Sequence, residues 1–299
     1  MSKRRQSAKT SKSARQRRKG GAGVTQSPRA ALAAATSARK TVSERVEAMA
    51  KATSAICDDH EGFQEVLLAL RNPDEHIKVR LAALASIQAA SFSVVAFESC
   101  RSDYIATLRA VASDPDPELR QRVLGILARE KDGYAQKKLL EGLEDPAKAL
   151  VPPEKALQLL GYDVHADAYK MARKIVASPP SALAKREALR LLAADTTAKP
   201  VFEKILRDKD EPPEYRQISA SALHAMAPDT LQKHARAILL DSSESDEIQA
   251  TSLTAIEQFG NTEVVGKDDQ LKKRVSRLRT ASSNKVKQGA KRFLTKYGQ

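Results

Sequence analysis

The stretch NPDEHIKVRLAALASI at residues 72–87 joins a polar, Pro-containing turn to a segment with apolar residues at helical spacing. A second stretch, DPDPELRQRVLGIL at residues 114–127, repeats the arrangement. The helical parts align as Val79-Arg80-x3-Leu84-x2-Ile87 and Leu119-Arg120-x3-Leu124-x2-Leu127. Because Pro stops one helix and can start the next, while Asp caps helix N-termini, each stretch predicts a turn followed by an amphipathic helix.

The same pattern continues along the chain as an internal repeat. Its copies begin at Val79, Leu119, Pro152, Ala184, Tyr215 and Ile248, with a weaker seventh copy at Val286. Another amphipathic segment precedes most copies, and the chain is poor in aromatic residues, which favours closely packed helices over strands. One helix pair cannot bury its own apolar face, so the repetition predicts an all-α fold, an α-solenoid of about six to seven helix pairs.

These copies resemble the HEAT-like repeat family, whose units have an Asp-Pro turn before a helix of the form Val-Arg-x-x-Ala-x-x-Ala-Leu. The resemblance covers about residues 60–260 and is weaker at Pro153 and Gln249, where the family has a basic residue. It implies that the second helix of each pair lines the concave side of a solenoid, where we expect a protein partner to bind. A fold of this kind does not by itself define an activity.

One repeat position carries a base in four copies: Arg80, Arg120, Lys185 and Arg216. The resemblance implies a structural ladder, in which each base pairs with a turn carboxylate of its own or an adjoining repeat. The candidate carboxylates are Asp74, Asp116 and Asp210. The alternative is a basic stripe that binds an acidic ligand. We favour the ladder because the body of the chain is net acidic.

Charge divides the chain into three parts. Residues 1–40 hold twelve bases and no acid, residues 267–299 hold eleven bases and two acids, and residues 41–266 have 28 bases and 35 acids. The first 26 residues are too polar to bury a core. We therefore predict a basic, mostly disordered arm over 1–40, a HEAT-like repeat solenoid over 41–266, and basic C-terminal capping helices over 267–299.

The two basic ends predict contact with nucleic acid, because unopposed cations can neutralise phosphates without reading sequence. The candidate residues are Lys3, Arg4, Arg5, Lys9, Lys12, Arg15, Arg17, Arg18, Lys19, Lys272, Lys273, Arg274, Arg277 and Arg279. Alternatively, the arm only aids solubility or serves as a targeting signal, and a polar last repeat is what a solenoid needs to stay soluble. Few aromatic rings are present for stacking on bases, which argues against base-specific recognition.

Residue patterns for catalysis or metal binding are weak. Of five histidines only His60 forms a His-Glu pair, with Glu61, whereas the iron-dependent hydroxylases built on HEAT-like repeats need several such pairs. No Gly-x-Ser-x-Gly motif is present, and two cysteines cannot form a disulfide framework. We therefore predict no catalytic residue, no metal and no cofactor.

Together these features predict a non-catalytic scaffold that binds a protein partner, while the arm and the C-terminal helices contact nucleic acid or a nucleoprotein particle non-specifically. One alternative is a pure protein scaffold without nucleic acid. Another is an enzyme of the HEAT-like bilin lyase type, although no specific catalytic motif of that group is present. The sequence lacks a run of about 18 apolar residues, so no membrane contact is expected. We expect a cytoplasmic protein, with the nucleus or the nucleoid as alternatives.

Overall fold

A computed structural model describes residues 27–163 and 165–298, and about 77% of those residues are helical. Those residues contain seventeen α-helices, three short 3-10 helices and no strand. The α-helices are α1 (Pro28–Thr36), α2 (Val42–Ala52), α3 (His60–Arg71), α4 (Ile77–Ala90), α5 (Val94–Val111), α6 (Pro117–Arg129), α7 (Gly133–Glu144), α8 (Pro153–Leu160), α9 (Ala166–Ala177), α10 (Ala182–Leu192), α11 (Lys199–Arg207), α12 (Pro213–Met226), α13 (Pro228–Leu240), α14 (Asp246–Phe259), α15 (Thr262–Gly266), α16 (Asp269–Leu278) and α17 (Asn284–Tyr297). The 3-10 helices are Thr53–Ala55, Pro146–Lys148 and Thr196–Ala198.

Local sequence explains where these helices begin. Thr41 and Glu44 form a reciprocal capping box at the start of α2, in which each side chain accepts a hydrogen bond from the other residue's backbone N–H. Asp116 accepts a hydrogen bond of 2.8 Å from Leu119 N at the start of α6, and Pro117 occupies the first helical position. Turn chemistry therefore sets the repeat boundaries.

The chain divides into two compact units, Met1–Ser99 and Cys100–Gln299, with the boundary inside α5. In the first unit α1 pairs with α2 and α3 pairs with α4, while α1 also packs on α3 and α2 on α4. Phe63 is fully buried, and its ring meets Phe97 edge to face at 6.3 Å between centroids. Two successive helix pairs thus share one core.

The second unit has two layers of helices. In the second-helix layer, α6 packs on α8, α8 on α10, α10 on α12, α12 on α14, and α14 on α17. In the first-helix layer, α7 packs on α9, α11 on α13, and α13 on α16. Each helix pair therefore lies against the next one, and the predicted all-α solenoid is confirmed.

The structure places repeat helices on both sides of residues 41–266, the range predicted for the solenoid. At the front, α1 and α2 form an additional pair, so residues 27–40 of the predicted arm contain a helix that buries Ala31, Leu32 and Ala35. Residues 1–26 lie outside the described residues. At the back, the weak seventh copy is α17, where a side chain at Gly289 would begin only 3.1 Å from Leu253. Glycine at this position lets α17 approach α14 closely.

None of the helices in the described part of the chain is long and apolar enough to cross a bilayer.

Candidate nucleic-acid interface

Arg216 shows how the repeat-position bases are used. Its Nε donates to Leu206 O at the end of α11 (2.9 Å), and its two Nη atoms donate to the Glu244 carboxylate at 2.8 and 2.6 Å. Both side chains are only 3% exposed. The guanidinium thus ties the end of its own first helix to the turn of the next repeat, in bidentate geometry.

Arg45 in α2 repeats this arrangement in the first unit. Its Nε donates to Ala35 O (3.0 Å) and its Nη atoms donate to Glu75 at 3.0 and 2.5 Å. Burial raises the pKa of the Glu75 carboxyl, but the hydrogen bonds from Arg45 and from His76 N outweigh it and leave that pKa below its ordinary value. Sequence reasoning did not single out Arg45, because the segment before α2 lacks an Asp-Pro turn.

The other three predicted ladder bases lie at the same repeat position, but their partners differ. The carboxylate pairing predicted for Arg120 is wrong, since its guanidinium donates to backbone carbonyls and forms no ion pair with the described residues. Arg80 Nε donates to Leu70 O (3.0 Å), and Arg120 Nε donates to Leu150 O (2.5 Å). Lys185 Nζ lies 2.6 Å from Glu211 Oε1. With Arg216, these side chains connect helix ends and turns, and we call them, together with Arg45, the ladder bases.

The ladder bases Arg45, Lys185 and Arg216 pair with glutamates, and each glutamate lies five residues before the next repeat position. Glu75, Glu211 and Glu244 precede Arg80, Arg216 and Gln249. The aspartates proposed from sequence serve the turns in other ways. Asp116 caps α6, and the side chains of Asp74 and Asp210 form no ion pair within the described residues. The five-residue spacing is the signal in the sequence that would have identified these glutamates.

A second set of ion pairs connects the first-helix layer. Arg109 lies 2.5 Å from Asp132, Arg236 lies 2.5 Å from Asp268, and Arg173 pairs with Asp195. Each of these aspartates also accepts a backbone N–H bond at the start of the following helix. The hydrogen bond from Arg236 holds the pKa of Asp268 below its usual range. Many cations of the repeats are therefore already neutralised.

Helix α16 and the residue that follows it carry exposed bases without partners among the described residues. Leu271, Val275 and Leu278 form its buried face. Of the five bases proposed here, two have partners: Lys272 pairs with Asp269 (3.0 Å), and Arg274 donates to Leu239 O (2.9 Å). The other three, Lys273, Arg277 and Arg279, are exposed, and their side chains form no ion pair or hydrogen bond with the described residues.

Helix α17 packs on α16 and adds to this group. Arg292 pairs with Glu257 (3.3 Å) and Lys296 donates to Glu257 O (2.6 Å). The remaining bases of this end have no partner among the described residues. With those of α16, they form a set of seven that we call the C-terminal cations: Lys267, Lys273, Arg277, Arg279, Lys285, Lys287 and Lys291.

The aromatic rings of α17 point away from solvent. Phe293 is fully buried and Tyr297 is 2% exposed. Tyr297 donates its hydroxyl to Ile256 O at 2.8 Å, which anchors the end of α17 to α14. The C-terminal cations therefore surround helices that offer no exposed ring for stacking on a base.

The basic residues predicted in the arm, Lys3 to Lys19, lie outside the described residues. Within the described part of the arm, Arg29 pairs with Asp59 (2.9 Å) and Lys40 with Glu44 (3.1 Å). Together with the Thr41 backbone N–H, the main cause, Lys40 lowers the pKa of Glu44 to about 2. These two cations belong to the first unit's own contacts.

Two large exposed side chains lie at the ends of second helices, Tyr162 in the turn after α8 and Leu183 in the first turn of α10. Tyr162 is 50% exposed and Leu183 is 46% exposed. The guanidinium of Arg129 lies 6.0 Å from the Tyr162 ring centroid, at the edge of the range for a cation-π contact. Arg129 itself has no acidic partner among the described residues.

Within the described residues, no cluster of three or more His, Cys, Asp or Glu side chains has the geometry to hold a metal ion. Cys100 is buried and Cys57 is partly buried, and they form no disulfide within the described residues.

No protein-family model matches this chain, and no curated protein matches it. Among solved structures, it is similar to human deoxyhypusine hydroxylase in complex with glycerol, at 13% identity and a TM-score of 0.35. The match covers 82% of this chain and 98% of that one. The fold assignment of this chain accordingly rests on the order and packing of its own helices.

Proposed function

We propose that this chain is a non-catalytic helical-repeat scaffold. It binds a protein partner through its second-helix layer and contacts nucleic acid, or a nucleoprotein particle, through the C-terminal cations and the basic residues of the first 26 positions. The observation that supports the nucleic-acid contact most directly is the difference between the paired ladder bases and the unpaired C-terminal cations.

Unpaired, exposed cations suit a polyanion for an electrostatic reason. A base already held by a carboxylate must give up that partner before it can neutralise a phosphate, whereas Lys273 or Arg277 needs only to release solvent. Each phosphate neutralised releases condensed counterions and so adds to the affinity at low salt. Seven such contacts correspond to a slope of about −6 in log affinity against log salt concentration.

The contact that we propose is with the phosphate backbone. Sequence-independent binding needs only charge, whereas reading single-stranded bases needs exposed rings. The burial of Phe293 and Tyr297 leaves α16 and α17 without an exposed ring, and the half-exposed ring of Phe259 at the end of α14 is stacked on His224. A duplex, whose phosphates are dense and whose bases are stacked away from the protein, is the ligand that this chemistry fits best.

The protein partner is proposed on the second-helix layer because of the side chains exposed there. Tyr162 and Leu183 place apolar area in solvent, and Arg129 lies beside the Tyr162 ring. Tyr and Arg are the residue types that most often carry interface energy when they become buried. These three side chains are therefore the proposed anchors for the partner.

The nucleic-acid contact is tested by fluorescence anisotropy with a labelled DNA duplex of about 20 base pairs, in moderate salt. The variant Lys273→Gln/Arg277→Gln/Lys291→Gln removes three unpaired cations. The control Arg122→Gln/Lys137→Gln/Lys148→Gln changes the net charge equally but removes bases that pair with Glu118, Glu141 and Asp145.

We expect the first variant to bind the duplex at least about tenfold more weakly than the wild type, and the control to change affinity by less than about threefold. Both should retain the wild-type helical content in far-ultraviolet circular dichroism. Equal losses in the two variants would mean that only net charge matters, and the assignment to these residues would be wrong. If the wild type does not bind the duplex even in low salt, the proposed contact with a nucleic-acid duplex is wrong.

A further inference from the structure

The linker between α16 and α17 carries three hydroxyl side chains within residues 279–283. Thr280 donates its hydroxyl to Arg277 O (3.0 Å), and Ser283 caps α17 by accepting from Val286 N (3.5 Å). Ser282 is exposed, and its Oγ makes one long hydrogen bond of 3.3 Å, to Asp246 Oδ2. Ser282 is therefore the linker hydroxyl that helps neither to end α16 nor to begin α17.

Cations lie on both sides of Ser282 in the sequence: Lys285 follows it by three residues, and two arginines precede it. Arg279 lies three residues before it and Arg277 five residues before it, and both belong to the C-terminal cations. Protein kinases choose their substrates partly by charge pattern, so an enzyme with an acidic substrate groove fits this segment. Because residues 279–283 are not helical, Arg279 and Ser282 can enter such a groove without unwinding a helix, whereas Arg277 lies in the last turn of α16.

Ser276 provides an internal comparison. It is also exposed and has Lys273 three residues before it, but it lies within α16, whose backbone is held by helical hydrogen bonds. An enzyme that binds extended chain would have to melt α16 and expose Leu271, Val275 and Leu278 to reach it. Conformation therefore separates Ser282 from Ser276, although their flanking charges are similar.

We propose that Ser282 is a phosphorylation site that weakens the nucleic-acid contact of the C-terminal cations, an inference that rests on the proposed function. In the reaction, Ser282 Oγ attacks the γ-phosphorus of ATP in a protein kinase. The bond from that phosphorus to the β,γ-bridging oxygen breaks, ADP leaves, and the hydroxyl proton is released. The product carries a charge of about −1.5 to −2 at neutral pH.

In the sequence, the new phosphate would lie between C-terminal cations that we propose contact the duplex. Phosphorylation removes the hydrogen bond that the Ser282 hydroxyl donates to Asp246, and the Asp246 carboxylate repels the new phosphate. Arg279, before Ser282 in the sequence, and Lys285, after it, can donate charge-assisted hydrogen bonds to the phosphate. Each cation taken up by the phosphate is lost to the duplex. Losing one or two contacts makes the salt dependence shallower by about 1 to 2 and lowers duplex affinity about 5- to 30-fold near physiological salt.

The test uses the full chain with phosphoserine incorporated at position 282 during translation. The control carries phosphoserine at Ser113, which is exposed in the linker between α5 and α6, away from the C-terminal cations in the repeat order. Both proteins and the unmodified chain are titrated against the same DNA duplex. We expect the chain modified at Ser282 to bind at least about fivefold more weakly, and the control to stay within about twofold of the unmodified chain.

If the unmodified chain binds the duplex and modification at Ser282 leaves both affinity and salt slope unchanged, this inference is wrong and the proposed function stands. If the unmodified chain does not bind, both fail. Accessibility is tested separately with a purified kinase that selects basic residues before the target serine. Mass spectrometry should find Ser282 modified faster than Ser276, and Arg279→Gln should slow the reaction. Modification of Ser276 first would overturn the inference.

Discussion

Replacing Arg216 by Met removes one partner of a buried ion pair and keeps most of the side-chain volume. The guanidinium donates three hydrogen bonds, one to Leu206 O and two to Glu244, and both charged side chains are 3% exposed. The Arg216→Met chain would retain a buried carboxylate whose remaining hydrogen bond is from Ser245 N. Leaving a charge of this kind unpaired costs about 3–5 kcal/mol of unfolding free energy.

The double variant Arg216→Met/Glu244→Met distinguishes the cost of an unpaired Glu244 carboxylate from the cost of altered packing. With both charges absent, the cost of desolvation disappears together with the attraction, so we expect the double variant to recover most of the stability lost in the single one. The control is Arg122→Met, since Arg122 pairs with Glu118 on the surface, where both side chains are more than half exposed. Its expected cost is below about 1 kcal/mol.

The assay is urea unfolding followed by far-ultraviolet circular dichroism, with the midpoint and the slope of the transition both fitted. Because repeat proteins can unfold in parts, a changed slope would show that only some repeats have melted. A cost below about 1 kcal/mol for Arg216→Met would refute the argument that this arginine neutralises a buried charge. A double variant as unstable as the single one would show that packing, and not the unpaired carboxylate, causes the loss.

Three further predictions concern stability. Although burial raises the pKa of the Glu244 carboxyl, hydrogen bonds from Arg216 and Ser245 N outweigh it and leave that pKa below the ordinary 4.5. The stabilisation is therefore complete above about pH 4.5 and is lost as the pH falls through the lowered value, so Glu244→Gln should show a smaller loss of urea midpoint between neutral and acidic pH than the wild type. Asp268→Asn should lower the unfolding free energy by about 1–3 kcal/mol, because it weakens both the ion pair with Arg236 and the N-terminal cap of α16. Asp269→Asn is the control, since the Asp269 side chain is almost fully exposed in its pair with Lys272, and it should cost less than about 1 kcal/mol in the same urea assay. Removing residues 1–26 should leave the urea midpoint unchanged, whereas removing 1–40 should lower it because Leu32 is lost from the core; equal midpoints for the two truncations would mean that α1 does not stabilise the first unit.

The repeat architecture was predictable because its signals are local. Pro and Asp in the turns, and apolar residues at helical spacing, depend on neighbours within one helix pair, as at Asp116 and Pro117. The first pair was harder to recognise because α1 and α2 are joined without an Asp-Pro turn, so Arg45 did not align by motif with Arg80. Its role follows from Glu75, thirty residues further on.

The candidate surface was predictable only in composition. The sequence shows that the last helices are basic, but the partners that occupy some of those bases are distant along the chain. Arg274 donates to a carbonyl 35 residues away, and Lys296 donates to one 39 residues away. Which bases remain unpaired is therefore a property of the packed helices, and a single sequence cannot separate Arg274 from Arg277.

The most direct test of the account is the salt dependence of duplex affinity in the chain lacking residues 1–26, where the C-terminal cations act alone. The account predicts that Lys273→Gln/Arg277→Gln/Lys291→Gln makes the slope of log affinity against log salt shallower by about 2 to 3, since three phosphate contacts are lost. The charge-matched change at Arg122, Lys137 and Lys148 should leave the slope unchanged. Identical slopes in all three proteins would contradict the claim that the unpaired cations of α16 and α17 hold the polyanion.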